Sequence, residues 1–301
     1  NPPPLLSHPR SHPATYERRA VVSTLYSDSY AIGASVLLHS IKTHNISASH
    51  FFLAYLPGRI SNEALCVVRA AGWDPVPVPF IPPPHGGKDV HHRFFDQYTK
   101  LNIWGLDASK VVYLDADTLV RKNFDELFEM PWAFAAVPDV YGDRRGFTIG
   151  FNAGVMLYTP DEGLLRRMKE MLEIAKYPLE QAEQSFLNLF FAGSAVRLPY
   201  AYNANLAIKK VSPELWRGMG EADEMRVVHY TLVKPFVDER DRSGKMLRDE
   251  ERVRQIMDEA ETKEGGMFKE EVGWWREAFE NMVGGNVGAG MIKCKRAALL
   301  A

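Results

Sequence analysis

Lys110-Val111-Val112-Tyr113-Leu114-Asp115-Ala116-Asp117-Thr118-Leu119-Val120 is the stretch from which the fold is read. Residues 111–114 are an unbroken apolar run, the signature of a strand covered on both faces of a sheet, and the run ends in two acids separated by one small residue. Side chains two apart on an extended backbone point the same way, so Asp115 and Asp117 are expected to present two carboxylates to one object. Two like charges held together repel, and each takes up a proton unless a cation or a donor network lies between them. A hard divalent cation with oxygen ligands is the simplest resolution. Ala116 leaves room for a ligand to approach the backbone. The plain alternative is an Asp-x-Asp that ends the strand and starts a turn.

Around that stretch the composition is that of a globular chain. Its 301 residues, 46% of them hydrophobic, suffice for one large α/β domain or two small ones. Lys and Arg (36) nearly balance Asp and Glu (38), and with no basic run a nucleic-acid partner is not expected. Cys66 and Cys294 lie far apart and have no zinc-site spacing, so reduced thiols are the plainer expectation. No stretch approaches the roughly 20 apolar residues that span a bilayer. A cytoplasmic location is expected, with the Golgi lumen as the alternative for a chain whose N-terminal anchor is absent from this sequence. Asn45-Ile46-Ser47 fits an N-glycosylation acceptor, a triplet that also arises by chance.

Residues 1–18, with Pro at 2, 3, 4, 9 and 13, read as an extended arm. From Arg19 the pattern alternates: strands at 20–26, 50–56 and 75–80, helices at 29–44, 61–71 and 94–106, then the strand that starts at Val111. Such alternation predicts a single α/β domain over 19–237, with a mainly parallel central sheet and helices on both faces. Ligands of such sheets gather outside the carboxyl ends of the strands, where Tyr26 and the Asp115–Asp117 pair fall. The loop 81–93 holds three prolines and His85, His91 and His92; a lid or surface loop fits it better than a metal cluster, because no helical spacing of the histidines accompanies it.

Further along, short elements are expected at 124–128 (helix) and 133–137 (strand), then a strand at 151–158 and helices at 161–176 and 180–191. Gly154 inside an apolar strand signals a close approach or a bulge. A strand at 225–230 carries His229. Over 238–283 the chain turns charged and helical, and Phe268, Val272, Trp275, Phe279 and Met282 make one apolar stripe that is expected to pack back on the domain. The glycine-rich residues 284–301 read as a disordered tail.

An apolar strand ending Asp-x-Asp-x-Thr-Leu resembles the first motif of haloacid-dehalogenase-like phosphatases, but that motif opens its domain, whereas here about 110 residues precede it. The fuller likeness is to retaining glycosyltransferases of family 8, the glycogenin and galactinol-synthase group. It runs through residues 24–34, Thr99-Lys100-Leu101-Asn102-Ile103-Trp104, Tyr113–Thr118, Phe151-Asn152-Ala153-Gly154-Val155, residues 181–188 and Val228-His229-Tyr230 with Lys234-Pro235-Phe236, in the family's order.

What this resemblance implies is a GT-A type domain whose Asp115, Asp117 and His229 hold Mn²⁺, or Mg²⁺. Thr24, Leu25, Tyr26, Ser27, Tyr30, Ala116 and Lys234 would meet the nucleotide, and Asn152, Ala153 and Glu180 the donor sugar. Glu183, Gln184 and Lys100 would act at the reacting centre. The implied substrates are a UDP-sugar, UDP-glucose or UDP-galactose first, and an acceptor that is a carbohydrate, a polyol or a protein. A homodimer is left open, and a catalytically silent UDP-sugar-binding or scaffold module is the alternative of a different class. Three departures stand out: Glu183 where the family commonly has Asp, Ala153 where it often has a small polar residue, and no glycine in 230–233. No tyrosine occurs between Asn205 and Met225, so self-glucosylation of the glycogenin kind is not expected.

Overall fold

The computed structural model describes residues 18–91, 94–241 and 246–299. The proline-rich arm, except Arg18, and His92 of the histidine loop lie outside them. β1 (Arg19–Leu25), α1 (Ala31–Thr43), β2 (His50–Tyr55), α2 (Asn62–Ala71) and β3 (Asp74–Pro77) wind outward as parallel strands joined by helices. Local chemistry sets the joints. Ser61 caps α2 by accepting a hydrogen bond from the Ala64 N–H, and Gly72, at φ +107°, ends it in the left-handed conformation that glycine adopts without strain.

The helix expected over 94–106 is a 3₁₀ segment, Gln97–Gly105. Every residue from Tyr98 to Trp104 is buried, so the segment has no solvent-facing side to give it a helical apolar period. β4 (Lys110–Leu114) then returns to the free side of β1 and runs parallel to it. Because the chain leaves β1 in one direction and comes back on the other, a crevice opens between the carboxyl ends of β1 and β4.

After β5 (Thr118–Val120) and α3 (Glu126–Glu129) come β6 (Phe134–Val140) and β7 (Phe147–Tyr158). The short connection between β6 and β7 permits only an antiparallel pair, and β7 is antiparallel to β4 as well. The sheet, in the order β3-β2-β1-β4-β7-β6-β8, is therefore mainly parallel as expected, with β7 running against its neighbours. α4 (Glu162–Leu172) and α5 (Ala182–Phe190) precede the two-residue β8 (Val196–Arg197). β9 (Ala204–Asn205), α6 (Leu206–Val211), α7 (Pro213–Glu221) and β10 (Val227–His229) follow, and β5, β10 and β9 make a second, three-stranded sheet.

Alternation along the strands divides the core. Val21, Leu25, Val112 and Leu114 join one apolar cluster with α1 and α2, while Ala20, Val22, Val111 and Tyr113 join another with α4, α5 and the 3₁₀ segment. A third cluster unites α6, α7 and β10 with the C-terminal helices α8 (Glu250–Thr262), α9 (Lys269–Val283) and α10 (Asn286–Leu299). The apolar stripe of α9 is fully buried there, and Trp275 stacks on Phe236 with ring centroids 5.6 Å apart.

Two expectations fail at this end of the chain. The tail expected to be disordered forms α10, and the cysteines expected to be reduced are joined, with Cα atoms 5.7 Å apart. Glycine here serves packing: a Cβ on Gly290 would stand 2.8 Å from Ala70 Cβ, so its absence lets α10 lie close against α2. One helical turn on from those two residues, in opposite chain directions, Cys294 meets Cys66.

Candidate active site

β4 ends at Leu114, and the acids occupy a turn, not the extended strand that was expected to align them. The Asp115 carbonyl accepts from the Thr118 N–H (3.0 Å) and the Thr118 hydroxyl (2.7 Å), and this turn brings the two carboxylates together. β5 leaves the turn and pairs antiparallel with β10, placing His229 opposite Thr118. As a result Asp115, Asp117 and His229 each offer a ligand atom, all within 4.8 Å of one another, at the mouth of the β1–β4 crevice. Among the described residues they are the one group of three such side chains arranged to hold a metal ion.

Orientation of the imidazole follows from its neighbours. The Asp139 carboxylate accepts from Asn152 Nδ2 (3.1 Å), so Asn152 Oδ1 faces the other way, accepting from the Gly154 N–H (2.9 Å) and from Asn203 Nδ2 (3.0 Å). Asn203 Oδ1 is thereby turned to His229 Nδ1 at 3.0 Å and must accept its proton. Nε2, 3.2 Å from Asp117 Oδ1, is thus the ring nitrogen that faces the acids, and in the neutral ring it carries the lone pair. Two acceptors facing each other across that gap suit a shared cation. Gly154 is required by the same ring: a Cβ there would lie 2.3 Å from His229 Cε1.

A second charged group borders the first. Lys100 Nζ lies 2.8 Å from Glu183 Oε1 and 3.2 Å from Asp115 Oδ1, and the Tyr113 hydroxyl donates to Asp115 Oδ1 at 2.5 Å. Burial alone would lower the Lys100 pKa, but the Asp115 and Glu183 carboxylates outweigh it and hold the ammonium charged. Burial raises the Glu183 carboxyl, with Lys100 opposing. Glu183 Oε2 is buried without a hydrogen-bond partner, an acceptor left over inside the site. Lys234 is paired with the second acid; burial would raise the Asp117 pKa, and the Lys234 ammonium, with the His229 ring beside it, overcomes that and depresses the carboxyl.

Residues 90–238 match the family described as "Glycosyl transferase family 8". The chain belongs to glycosyltransferase family 8. Glycogenin of Neurospora crassa is 35% identical over 191 residues, covering 60% of this chain and 26% of that protein. Galactinol synthase 1 of Solanum lycopersicum is 34% identical over 153 residues, 44% of this chain and 46% of that protein. The chain thus spans between a quarter and a half of the length of these curated relatives. A solved structure, the WbbM bifunctional glycosyltransferase in its apo form, shares the fold at a TM-score of 0.55 with 18% identity, over 87% of this chain and 52% of that one. Family 8 membership sets aside the phosphatase reading of the Asp-x-Asp motif.

In this family 8 chain most of the residues singled out in the sequence converge on the crevice. Thr24, through its hydroxyl, joins Tyr113 at 2.8 Å, and Ser27 joins Ser29 at 2.7 Å. Lys234 lies 5.9 Å from the Tyr30 ring centroid, and Ala116 O is 2.8 Å from where a Gly33 Cβ would stand, so α1 begins directly against the acid turn. Gln184 accepts from the Ala153 N–H at 3.0 Å and donates to Asp139 at 2.8 Å.

Other residues stand apart from the cluster. The Leu25 and Ala153 side chains are core residues, which leaves only their backbone to meet a ligand. Glu180 is exposed on the 3₁₀ turn Leu179–Gln181 and hydrogen-bonds to none of the described cluster. His85, from the histidine loop, faces Glu173 at 3.6 Å, and no described histidine of that loop joins a metal-type cluster. Sequence reasoning missed Asn203, Asp139 and Tyr113, the groups that orient the ligands; Asn and Asp in loops read as turn formers until the fold shows what they face.

Proposed function

We propose that the chain is a Mn²⁺-dependent, retaining glycosyltransferase that moves a hexose from a UDP-sugar, UDP-glucose or UDP-galactose first, to a carbohydrate, polyol or protein acceptor. The observation that carries this is the convergence of Asp115, Asp117 and His229 at the crevice between β1 and β4, in a family 8 chain. Two carboxylates with one imidazole nitrogen favour Mn²⁺ over Mg²⁺ or Ca²⁺, with Mg²⁺ the alternative. When bound, such an ion supplies positive charge where a departing diphosphate develops negative charge.

The chain's own residues do the rest. Lys234 is placed to exchange Asp117 for a phosphate oxygen, and the Thr24–Ser27 segment at the end of β1 lies where a nucleotide base would rest. Buried between two carboxylates, Lys100 stays charged and holds Glu183 in place. Gln184, with Asn152 and Asp139, fixes hydrogen-bonding groups at the donor sugar. Retention and the front-face displacement that accounts for it rest on the family likeness: the departing phosphate takes the acceptor's proton, and no side chain acts as a covalent nucleophile.

A neighbouring cleft supports this reading as an acceptor site. A cleft of 430 Å³ lined by Asp139, Tyr141, Thr148, Tyr177 and Gln184 adjoins the site; its walls are mostly apolar and aromatic with a few polar groups, a mix that suits the faces and hydroxyls of a sugar. A larger cavity, of 580 Å³ beneath Arg121, Trp216 and Trp274, contains none of the cluster and takes no part. A screen of UDP-sugars with Mn²⁺, reading slow hydrolysis without acceptor, tests the proposal. Turnover of one donor that Asp117→Ala abolishes supports it, whereas nucleotide binding with no turnover across donors and acceptors identifies a silent binding module instead.

A further inference from the structure

Two features lie outside the catalytic reading and agree with each other. The first is the Cys66–Cys294 bond, which ties α10 to α2 across 228 residues of sequence and leaves no free cysteine. A disulfide of this kind forms and persists in an oxidising compartment, while thiols of cytosolic proteins are kept reduced. The second is Asn45-Ile46-Ser47, the one Asn-x-Ser/Thr triplet in the sequence.

The structure displays that triplet. Asn45 follows α1 and is exposed, with φ +51°, a left-handed conformation that asparagine tolerates better than most residues. The turn is held by groups other than the Asn45 amide: Asn123 Nδ2 donates to the Asn45 carbonyl (3.1 Å), the Ser47 N–H donates to Asp125 Oδ1 (2.9 Å), and Ile46 is buried beneath. No described residue hydrogen-bonds the Asn45 side chain, and Ser47 is exposed beside it. The turn also lies at the far end of the sheet from the reaction. α1 starts against the acid turn, and its 13 residues carry the chain about 20 Å away before Asn45. A bulky substituent there leaves the crevice and the acceptor cleft open.

We propose that this chain folds in the oxidising lumen of a secretory route and carries an N-linked oligosaccharide on Asn45. A lipid-pyrophosphate-linked oligosaccharide is the donor: a bond forms between Asn45 Nδ2 and the anomeric carbon, the anomeric C–O bond to pyrophosphate breaks, and one amide proton leaves with the lipid pyrophosphate. Closing Cys66 to Cys294 passes two electrons and two protons to a disulfide-carrying oxidant of that compartment. The cytoplasmic location expected from the sequence gives way here to the lumenal one.

The experiment is peptide mass spectrometry on the chain isolated from its native host, alkylated without reduction and treated with peptide N-glycosidase. The expected result is a linked peptide pair containing Cys66 and Cys294, together with conversion of Asn45 to aspartate by the amidase. On a gel, enzyme treatment speeds the wild type and a Ser47→Thr variant but not Asn45→Gln or Ser47→Ala. Alkylated Cys66 and Cys294 in the unreduced protein overturn the compartment, and an unmodified Asn45 overturns the glycan; either result refutes the proposal. Neither measurement depends on activity, so both stand apart from the reaction proposed above.

Discussion

Replacing Gly154 by alanine loads the candidate cation site through a single methyl group. The added Cβ would stand 2.3 Å from His229 Cε1, 2.8 Å from His229 Nδ1 and 2.8 Å from Asn152 Oδ1. Carbon atoms in contact settle at about 3.5–4.0 Å, so the ring must retreat by roughly 1 Å. His229 is only 4% exposed and is held at Nδ1 by Asn203, so retreat breaks the 3.0 Å bond that orients the ring or widens its 3.2 Å approach to Asp117. Overpacking of this kind costs about 1–3 kcal/mol in stability. Loss of an orienting contact at a metal ligand lowers metal affinity by about 10- to 100-fold. Urea unfolding and calorimetry of Mn²⁺ with UDP read the two effects separately. A Gly154→Ala protein that unfolds and binds Mn²⁺ with UDP like the wild type would show that the ring does not sit against this strand, and the reasoning would fail.

Further predictions concern the acceptor of the His229 proton and two ion pairs that hold the C-terminal helices. Asn203→Ala leaves the His229 Nδ1–H without its acceptor, and Mn²⁺ affinity in the presence of UDP should fall about 10- to 100-fold with little change in circular dichroism. Lys209 Nζ reaches Glu271 at 2.6 and 2.9 Å, and Glu271, in the first turn of α9, is fully buried. Lys209→Met strands that carboxylate and should cost about 3–5 kcal/mol in chemical denaturation, while adding Glu271→Leu should recover much of the loss. Asp238 is held down to about 2 first of all by its hydrogen bonds from Arg252, at 2.8 Å each. A depressed carboxyl stabilises the fold above its unfolded pKa of about 4 and loses that contribution as pH falls toward 2. Wild type should therefore lose stability relative to Asp238→Asn across that window, and parallel pH curves for the two proteins would contradict the pairing.

How much of this was legible in the sequence depends on where the information sits. The 111–114 run and its two acids carry a local signal, so the strand, its two-sided burial and the Asp115–Asp117 pair can be read directly. His229 is read only through the family likeness, because a histidine on a three-residue strand has no pattern of its own; the β5–β10 pairing that delivers it is a contact across more than 100 residues. Asn203, Asp139 and Tyr113 matter only for what they face, which the chain's own order does not disclose. The same holds for Cys66 and Cys294, whose union waits on the packing of α10 against α2. Gly284, Gly285, Gly288 and Gly290 misled in a physical way: helix propensity counts glycine as a cost, and it does not count the close approach that Gly290 allows at Ala70. Helix α9, by contrast, announced itself in the spacing of Phe268, Val272, Trp275, Phe279 and Met282, all of which are buried.

Pulsed electron paramagnetic resonance of Mn²⁺ bound to the full chain with UDP asks directly whether an imidazole and two acids share one ion. Modulation from a directly bound histidine nitrogen should appear in the wild type, vanish in His229→Ala and be retained in His39→Ala, which changes a histidine remote from the cluster. An identical nitrogen signal in wild type and His229→Ala, or tight Mn²⁺ binding in Asp115→Ala/Asp117→Ala, would contradict the site.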